Sequence, residues 1–304
     1  MKIIASAPTR ISLFGGGTDL PIFYEKHGGL VVSMAINLYQ CVEIANGGSK
    51  YSISMPENGS VDFYKAFFEE FNLPFGNFNI KASSDAPIQS GLGSSAAASV
   101  ALVAALSRIK GQKLTRYEIA EKAWEICNNK LGLYSGKQDE YAASFGGYNK
   151  IVFNKDGTVF VNRLEGLLNK DNLLLFDTGL RRTNPKIQEN FKTLTPEKEE
   201  ALLKIKEIAE NYTHWTELPH LLRRAWEEKK KSNTVSTPEI DEIEKAAIAG
   251  GAEAFKLLGS GGGGFCLVFV EEEKQEKVKS ALKKKGCTWY DWDIYHNGVE
   301  TRIL

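Results

Sequence analysis

Between Asp85 and Leu106 the chain passes from a turn-rich loop into a stretch almost without polar side chains. Ser95 to Leu106 is small and apolar on every face, the pattern of a helix buried all round. It is entered through Pro87-Ile88-Gln89-Ser90-Gly91-Leu92-Gly93-Ser94-Ser95-Ala96-Ala97. Gly91 and Gly93 remove side chains where the backbone must bend and approach a ligand closely. Ser94 and Ser95 stand at the helix start, where unpaired N–H groups and the positive end of the dipole attract phosphate. A hydroxyl there also reaches a metal that bridges phosphates. The alternative is a plain turn from strand into capped helix. No Gly-Lys-Ser/Thr follows, and the glycine spacing is not that of a dinucleotide-binding fingerprint.

The rest of the chain reads as α+β. Ile3–Ala7 and Arg10–Phe14 suit two short strands, Leu30–Ile44 one long or bent strand, and Phe78–Ser83 a half-buried one. Ile151–Phe153 and Val159–Val161 suit a hairpin. Thr115-Arg116-Tyr117-Glu118 is a capping-box pattern that opens a helix. Helices are expected near 185–193, 197–211, 217–231 and from Thr237-Pro238, with strands at 173–176, 254–258 and 265–270. A closing hairpin is expected about Asn297-Gly298. At 304 residues two domains are expected, 1–165 and 166–304.

Lysine plus arginine and aspartate plus glutamate both number 38, so net charge favours neither nucleic acid nor an anionic membrane as partner. Four cysteines without paired spacing point to reduced thiols. The apolar run after Met1 is too short for a signal peptide, and no run of about twenty apolar residues is present. A cytoplasmic protein is expected.

Three segments together resemble the GHMP kinases. Ala7-Pro8-Thr9-Arg10-Ile11-Ser12-Leu13-Phe14-Gly15-Gly16-Gly17-Thr18-Asp19 is similar to that family's first motif, the Gly91–Ala96 loop to its second, and Lys256-Leu257-Leu258-Gly259-Ser260-Gly261-Gly262-Gly263-Gly264-Phe265-Cys266 to its third. The resemblance implies an N-terminal mixed α/β domain and a C-terminal ferredoxin-like α+β domain. It also implies ATP as phosphate donor with Mg²⁺, and nucleotide contacts from Gly91, Leu92, Gly93, Ser94, Ser95 and Ala96, with Ser95 on the metal side. Asp139, in Gly136-Lys137-Gln138-Asp139-Glu140-Tyr141, matches the family's catalytic aspartate, and Arg10 its basic partner; by its local sequence alone Asp139 also suits a helix cap. Phosphoryl transfer needs such a carboxylate to accept the proton of the acceptor hydroxyl, and an adjacent guanidinium favours the ionised form.

Gly17-Thr18-Asp19, Gly136–Ala143 and Phe145–Asn149 are most similar to the branch of heptose 7-phosphate kinases and fucokinases. That branch phosphorylates the anomeric hydroxyl of a sugar. The resemblance implies a small-molecule sugar or sugar phosphate as substrate, contacted by Gly17, Thr18 and Asp19 and by Gly261 and Gly262, the glycine run bringing its backbone close to the ligand or to the phosphate loop; Asp19 alone would also suit a helix cap. A phosphorylated acceptor needs a local basic cluster, and Arg181, Arg182 and Lys186, or Lys137, are candidates; a solvated loop explains Arg181 and Arg182 equally well. A neutral-sugar kinase and a non-catalytic nucleotide- and sugar-binding homologue are the alternatives, and a homodimer is left open. One departure stands out: where the family carries a metal-binding glutamate, this chain has Cys127 and Asn128, and Glu125 falls on the opposite helix face.

Overall fold

The structure, a computed structural model, describes residues 1–47, 52–54, 60–87, 89–164, 166, 169–181, 192–232 and 235–304. Arg182 and Lys186, and residues 185–191 of an expected helix, lie outside them.

The first sheet is organised around β1 (Lys2–Phe14) and β2 (Gly29–Asn46), which pair antiparallel. The two short strands expected at 3–7 and 10–14 are one strand with a register shift between Pro8 and Thr9, where proline offers no N–H to the ladder. Beyond the shift, the Arg10 N–H donates to the Leu92 carbonyl at 2.9 Å, tying the strand to the phosphate loop. β2 is the expected long strand, and it serves two partners. Its later half pairs with β4 (Phe78–Ser84), which carries the short parallel β3 (Ile53–Ser54), and its early half with β5 (Tyr148–Phe153), which forms a hairpin with β6 (Val159–Arg163).

Two short helices, α1 (Pro21–His27) and α2 (Val61–Glu70), precede α3 (Ser94–Ile109), the buried helix. Ala97, Val100, Ala101 and Ala104 of α3 share a core with Ile3, Ala5 and Ala7 of β1, Val42 and Ile44 of β2, and Phe67 and Phe68 of α2. Alanines keep the helix close to the sheet, so its N-terminus is held rigidly. α4 (Arg116–Glu125) opens with the expected capping box and continues through a π-helical turn, Ile126–Lys130, before α5 (Gln138–Phe145).

In the second sheet β7 (Leu173–Asp177) and β9 (Phe265–Phe269) are flanked by β8 (Ala254–Leu257) and β10 (Thr288–Tyr290) in the order β10-β7-β9-β8, all antiparallel. Alternate residues face opposite sides. Leu174, Phe176, Cys266 and Val268 pack with Ile240 and Ile243 of α8 (Pro238–Gly250) and Val278 and Leu282 of α9 (Gln275–Lys284). Leu173, Leu175, Phe265 and Leu267 join a core with Ile11 and Leu13 of β1 and Met34 of β2, completed by α6 (Pro196–Asn211) and α7 (Leu218–Ser232). The α+β reading holds, with helices and antiparallel sheets packed through shared cores.

The closing hairpin does not form. β10 pairs with β7, whereas the last strand, β11 (Glu300–Ile303), crosses to the first sheet and pairs with β1. Gly298 is required for a different reason: a Cβ there would lie 2.3 Å from the Ser144 carbonyl oxygen at the end of α5. All four cysteines are free thiols. Among the described residues no helix is long and apolar enough to cross a membrane.

Candidate active site

The first and second motifs and the Asp139 segment meet in one cleft of about 360 Å³ between the two sheets' helices. α3 begins at Ser94 after Gly93, which sits in the left-handed region at φ 72°, and no side chain caps it. Its first N–H groups are therefore open at a place lined by Gly91, Gly93, Ser94, Ser95 and Ala96. Gln89 also has a positive φ, 60°, an uncommon conformation for a non-glycine residue and one that clusters at ligand-binding loops. The Leu92 side chain is buried in the core, so its part is the carbonyl that receives the Arg10 N–H.

Arg10, 4% exposed, reaches across this loop. Its Nε donates to Asp139 Oδ1 at 2.6 Å, its Nη2 to Oδ2 at 2.8 Å, and its Nη1 to the Gly91 carbonyl at 2.7 Å. Asp139 is packed on Gly93: a Cβ on that glycine would come within 3.1 Å of Oδ2. The cap of α5 is Lys137, so Asp139 is not a helix cap and its carboxylate is given over to the arginine fork.

The third motif packs onto the same loop. A Cβ on Gly259 would lie 2.5 Å from Gly91 Cα, and one on Gly264 would lie 2.3 Å from the Ser90 carbonyl oxygen. The glycine run is thus a backbone-on-backbone contact. Gly259 and Ser260 line the cleft; Gly261 and Gly262 instead meet Val235, the Gly262 N–H donating to its carbonyl at 2.9 Å.

Asp19 lines the other side, beside Gly15, Gly16 and Gly17. The cap of α1 is Leu20, so Asp19 is not a helix cap either. Its carboxylate accepts from Gly17 N–H at 2.9 Å, Gln138 N–H at 3.0 Å and Gln138 Nε2 at 3.1 Å. Burial, with the charge of Asp139 adding, raises its proton affinity above the ordinary carboxylate level. The Thr18 hydroxyl is turned into the fold, donating to Gly15 and Leu30 carbonyls and accepting from Leu30 N–H.

Two of the basic candidates do not reach the cleft. The Lys137 ammonium is paired with both Glu121 oxygens at 3.0 and 2.7 Å and lies 4.6 Å from the Trp124 ring centroid. Arg181 forks onto Asp177 at 2.7 and 2.6 Å, which raises its proton affinity. The cations that do line the cleft, beside Arg10, are Lys198, Lys229 and Lys256. Lys256 donates to the Ser12 and Leu13 carbonyls, both at 2.6 Å, and Lys229 to the Gly259 carbonyl. Burial, reinforced by neighbouring cations, holds Lys256 well below the usual lysine range and brings Lys229 down to about 7. Burial also lowers Lys198. Their sequence neighbourhoods carry no pattern that singles them out; only α6, α7 and β8 packing beside the phosphate loop brings them together.

Glu140 likewise has no local sequence pattern that singles it out. It is 2% exposed, lines the cleft, and its Oε2 has no hydrogen-bond partner among the described residues. Burial, with the Asp139 charge adding, pushes its carboxyl well above the ordinary range. Cys127, at one of the two positions matched to the family's metal-binding glutamate, is buried with its thiol 3.1 Å from the Ser99 hydroxyl and pushed up to about 12 by burial. Asn128 braces the Ser135 segment, and Glu125 is exposed. Among the described residues no group of three His, Cys, Asp or Glu side chains forms a metal cage by itself.

The chain is similar along its length to known proteins. Residues 59–147 match the GHMP kinases N terminal domain and residues 199–286 the GHMP kinases C terminal domain. The chain is 31% identical to a D-glycero-alpha-D-manno-heptose 7-phosphate kinase of Campylobacter jejuni, with 99% of each chain covered. A D-glycero-D-manno-heptose 1-phosphate kinase of Bacteroides thetaiotaomicron superposes with a TM-score of 0.75 at 26% identity, covering 99% of each chain. The galactokinase of Lactococcus lactis, at 18% identity, shares the fold with a TM-score of 0.77 over 98% of this chain and 95% of its own. With both family domains matched and a relative 31% identical across 99% of the chain, and with the arginine-held aspartate beside the uncapped helix in one cleft, this chain belongs to the GHMP kinase family.

Proposed function

We propose that the protein transfers the terminal phosphoryl group of ATP to the anomeric hydroxyl of a sugar that already carries a phosphate, with D-glycero-D-manno-heptose 7-phosphate as the acceptor. The observation that carries this reading is the Arg10–Asp139 pair lying directly on Gly91 and Gly93, at the open end of α3.

The N–H groups opening α3 and the hydroxyls of Ser94 and Ser95 hold the triphosphate. Arg10 fixes both Asp139 oxygens, yet each carboxylate oxygen has a further lone pair. Asp139 therefore accepts the proton of the acceptor hydroxyl as its oxygen bonds to the transferring phosphorus and the bond to the leaving ADP oxygen breaks. Arg10 stands where charge spreads over the phosphoryl oxygens. Asp19, fixed by Gln138 and Gly17, accepts hydrogen bonds from sugar hydroxyls and sets the face presented to Asp139. Mg²⁺, bound with the nucleotide, would neutralise phosphate charge, and Ser95 is the hydroxyl that would meet it.

The acceptor's own phosphate requires basic side chains in the cleft, and Lys198 and Lys229 line it, whereas Lys137 and Arg181 do not. ADP release measured across a panel of sugars and sugar phosphates tests the reading. Turnover with the heptose 7-phosphate, and formation of a 1-phosphate, is expected. Turnover with neutral sugars alone would reject the phosphorylated acceptor, and turnover with mevalonate or homoserine alone would reject the sugar.

A further inference from the structure

Three carboxylates line the cleft: Asp19, Asp139 and Glu140. Two are supplied with protein donors. Asp139 has both oxygens in the Arg10 fork, and Asp19 accepts from Gln138 twice and from Gly17. Glu140 differs. It is 2% exposed, and its Oε2 lies buried with no donor among the described residues. A buried carboxylate oxygen without a partner, beside two other acids, is costly, and a carboxylate is usually matched by a donor or a cation.

Its surroundings indicate what supplies the match. Cys127 borders Glu140 in the cleft, and its thiol contacts the Ser99 hydroxyl. That hydroxyl donates to the Ser95 carbonyl at 2.9 Å in the first turn of α3. Cys127, which lines the cleft with Glu140, is thereby connected through Ser99 to the first turn of α3. Neither Cys127, buried with its thiol strongly protonated, nor Asn128, hydrogen-bonded to Trp124 and Ser135, offers a carboxylate there. The Glu140 carboxylate and the Ser94 and Ser95 hydroxyls in the cleft are oxygen donors of the kind a hard divalent cation takes, and such a cation on a nucleotide needs only one or two carboxylates, the phosphates and water providing the rest.

We propose that Glu140, which lines the same cleft as Ser95, is the carboxylate ligand of the divalent cation that accompanies the nucleotide. The inference rests on the kinase reading above. It separates two tasks between neighbouring residues: Asp139, held by Arg10, deals with the acceptor proton, and Glu140 deals with the metal.

The test is binding of Mn²⁺ to the full-length protein in the presence of a non-hydrolysable ATP analogue, followed by the loss of the free Mn²⁺ paramagnetic resonance signal. Glu140→Gln keeps shape and removes charge. It is expected to weaken Mn²⁺ affinity in the ternary complex by about tenfold or more, with affinity for the metal-free analogue unchanged or tighter. Glu140→Asp is expected to recover part of the loss. A glutamine variant that binds the metal-free analogue normally and holds Mn²⁺ within about twofold of wild type overturns the assignment. Wild-type protein that binds neither analogue nor Mn²⁺ overturns the kinase reading as well, so the two failures are distinguishable.

Discussion

Arg10 and Asp139 lie 129 positions apart in the chain and share two parallel hydrogen bonds, while the third arm of the same guanidinium holds the Gly91 carbonyl. One side chain thus sets the distance between the carboxylate and the phosphate loop. Lysine keeps the charge but cannot reproduce the fork. Arg10→Lys is therefore expected to lower kcat/KM by at least about tenfold, the equivalent of one charge-assisted hydrogen bond. Steady-state kinetics beside nucleotide affinity checks it; the affinity should change less than turnover.

Gly264 and Gly157 form a controlled pair. Both have positive φ, +93° and +85°, but a Cβ on Gly264 would strike the Ser90 carbonyl oxygen whereas one on Gly157 meets nothing within 4 Å. Gly157→Ala should cost about 1 kcal/mol from backbone strain alone. Gly264→Ala should cost clearly more and also weaken nucleotide binding, because the phosphate loop must move. Urea unfolding and nucleotide titration of both variants separate strain from loop displacement.

Much of the centre was legible because each of its parts carries local chemistry. A glycine-bracketed helix start, an arginine in a strand and a glycine run each point to a ligand-facing backbone, and Arg10, Gly91, Gly93, Asp139 and Gly259 do converge. Lys137 and Arg181 misled for the opposite reason. Whether a cation is available depends on its partner: Glu121 reaches Lys137 only when α4 packs beside α5, and Asp177 takes Arg181 at the end of β7. The closing hairpin failed similarly. Asn297-Gly298 reports a turn, but not that the free edge of β1 is where the following strand finds its hydrogen bonds. Lys198, Lys229 and Glu140 gain their meaning from burial beside the cleft, which no local pattern announces.

Cations that line the cleft should matter more to a phosphorylated acceptor than cations outside it. Lys198→Met is expected to raise KM for a sugar phosphate by about tenfold, the scale of a charge-assisted contact, and for the matching neutral sugar much less. Arg181→Met, which breaks a pair outside the cleft, should leave both KM values within about twofold of wild type and act on stability instead. Paired KM measurements on phosphorylated and unphosphorylated sugars decide between them.

Glu140 gives stability a definite pH dependence. Its folded-state affinity for protons is raised above the unfolded value by burial first and by Asp139 next, with Asp19 adding and Arg10 opposing. The folded state then holds the proton more tightly, so stability is greatest below the ordinary carboxylate range and falls as pH rises through the folded-state value. Glu140→Gln removes that loss. The metal-free variant should match wild type near pH 4.5 and exceed it increasingly as pH rises, by a melting difference on the order of a few degrees. Melting curves from pH 4.5 to 9 check the sign; a variant uniformly less stable across the range would contradict it.

The most direct measurement is the single-turnover rate of Asp139→Asn beside its affinity for a non-hydrolysable ATP analogue. Loss of the carboxylate as proton acceptor should slow phosphoryl transfer by about 100-fold or more while nucleotide affinity stays within about threefold. Transfer at the wild-type rate would contradict a base at this position, and with it the assignment of the Arg10–Asp139 pair as the centre of the reaction.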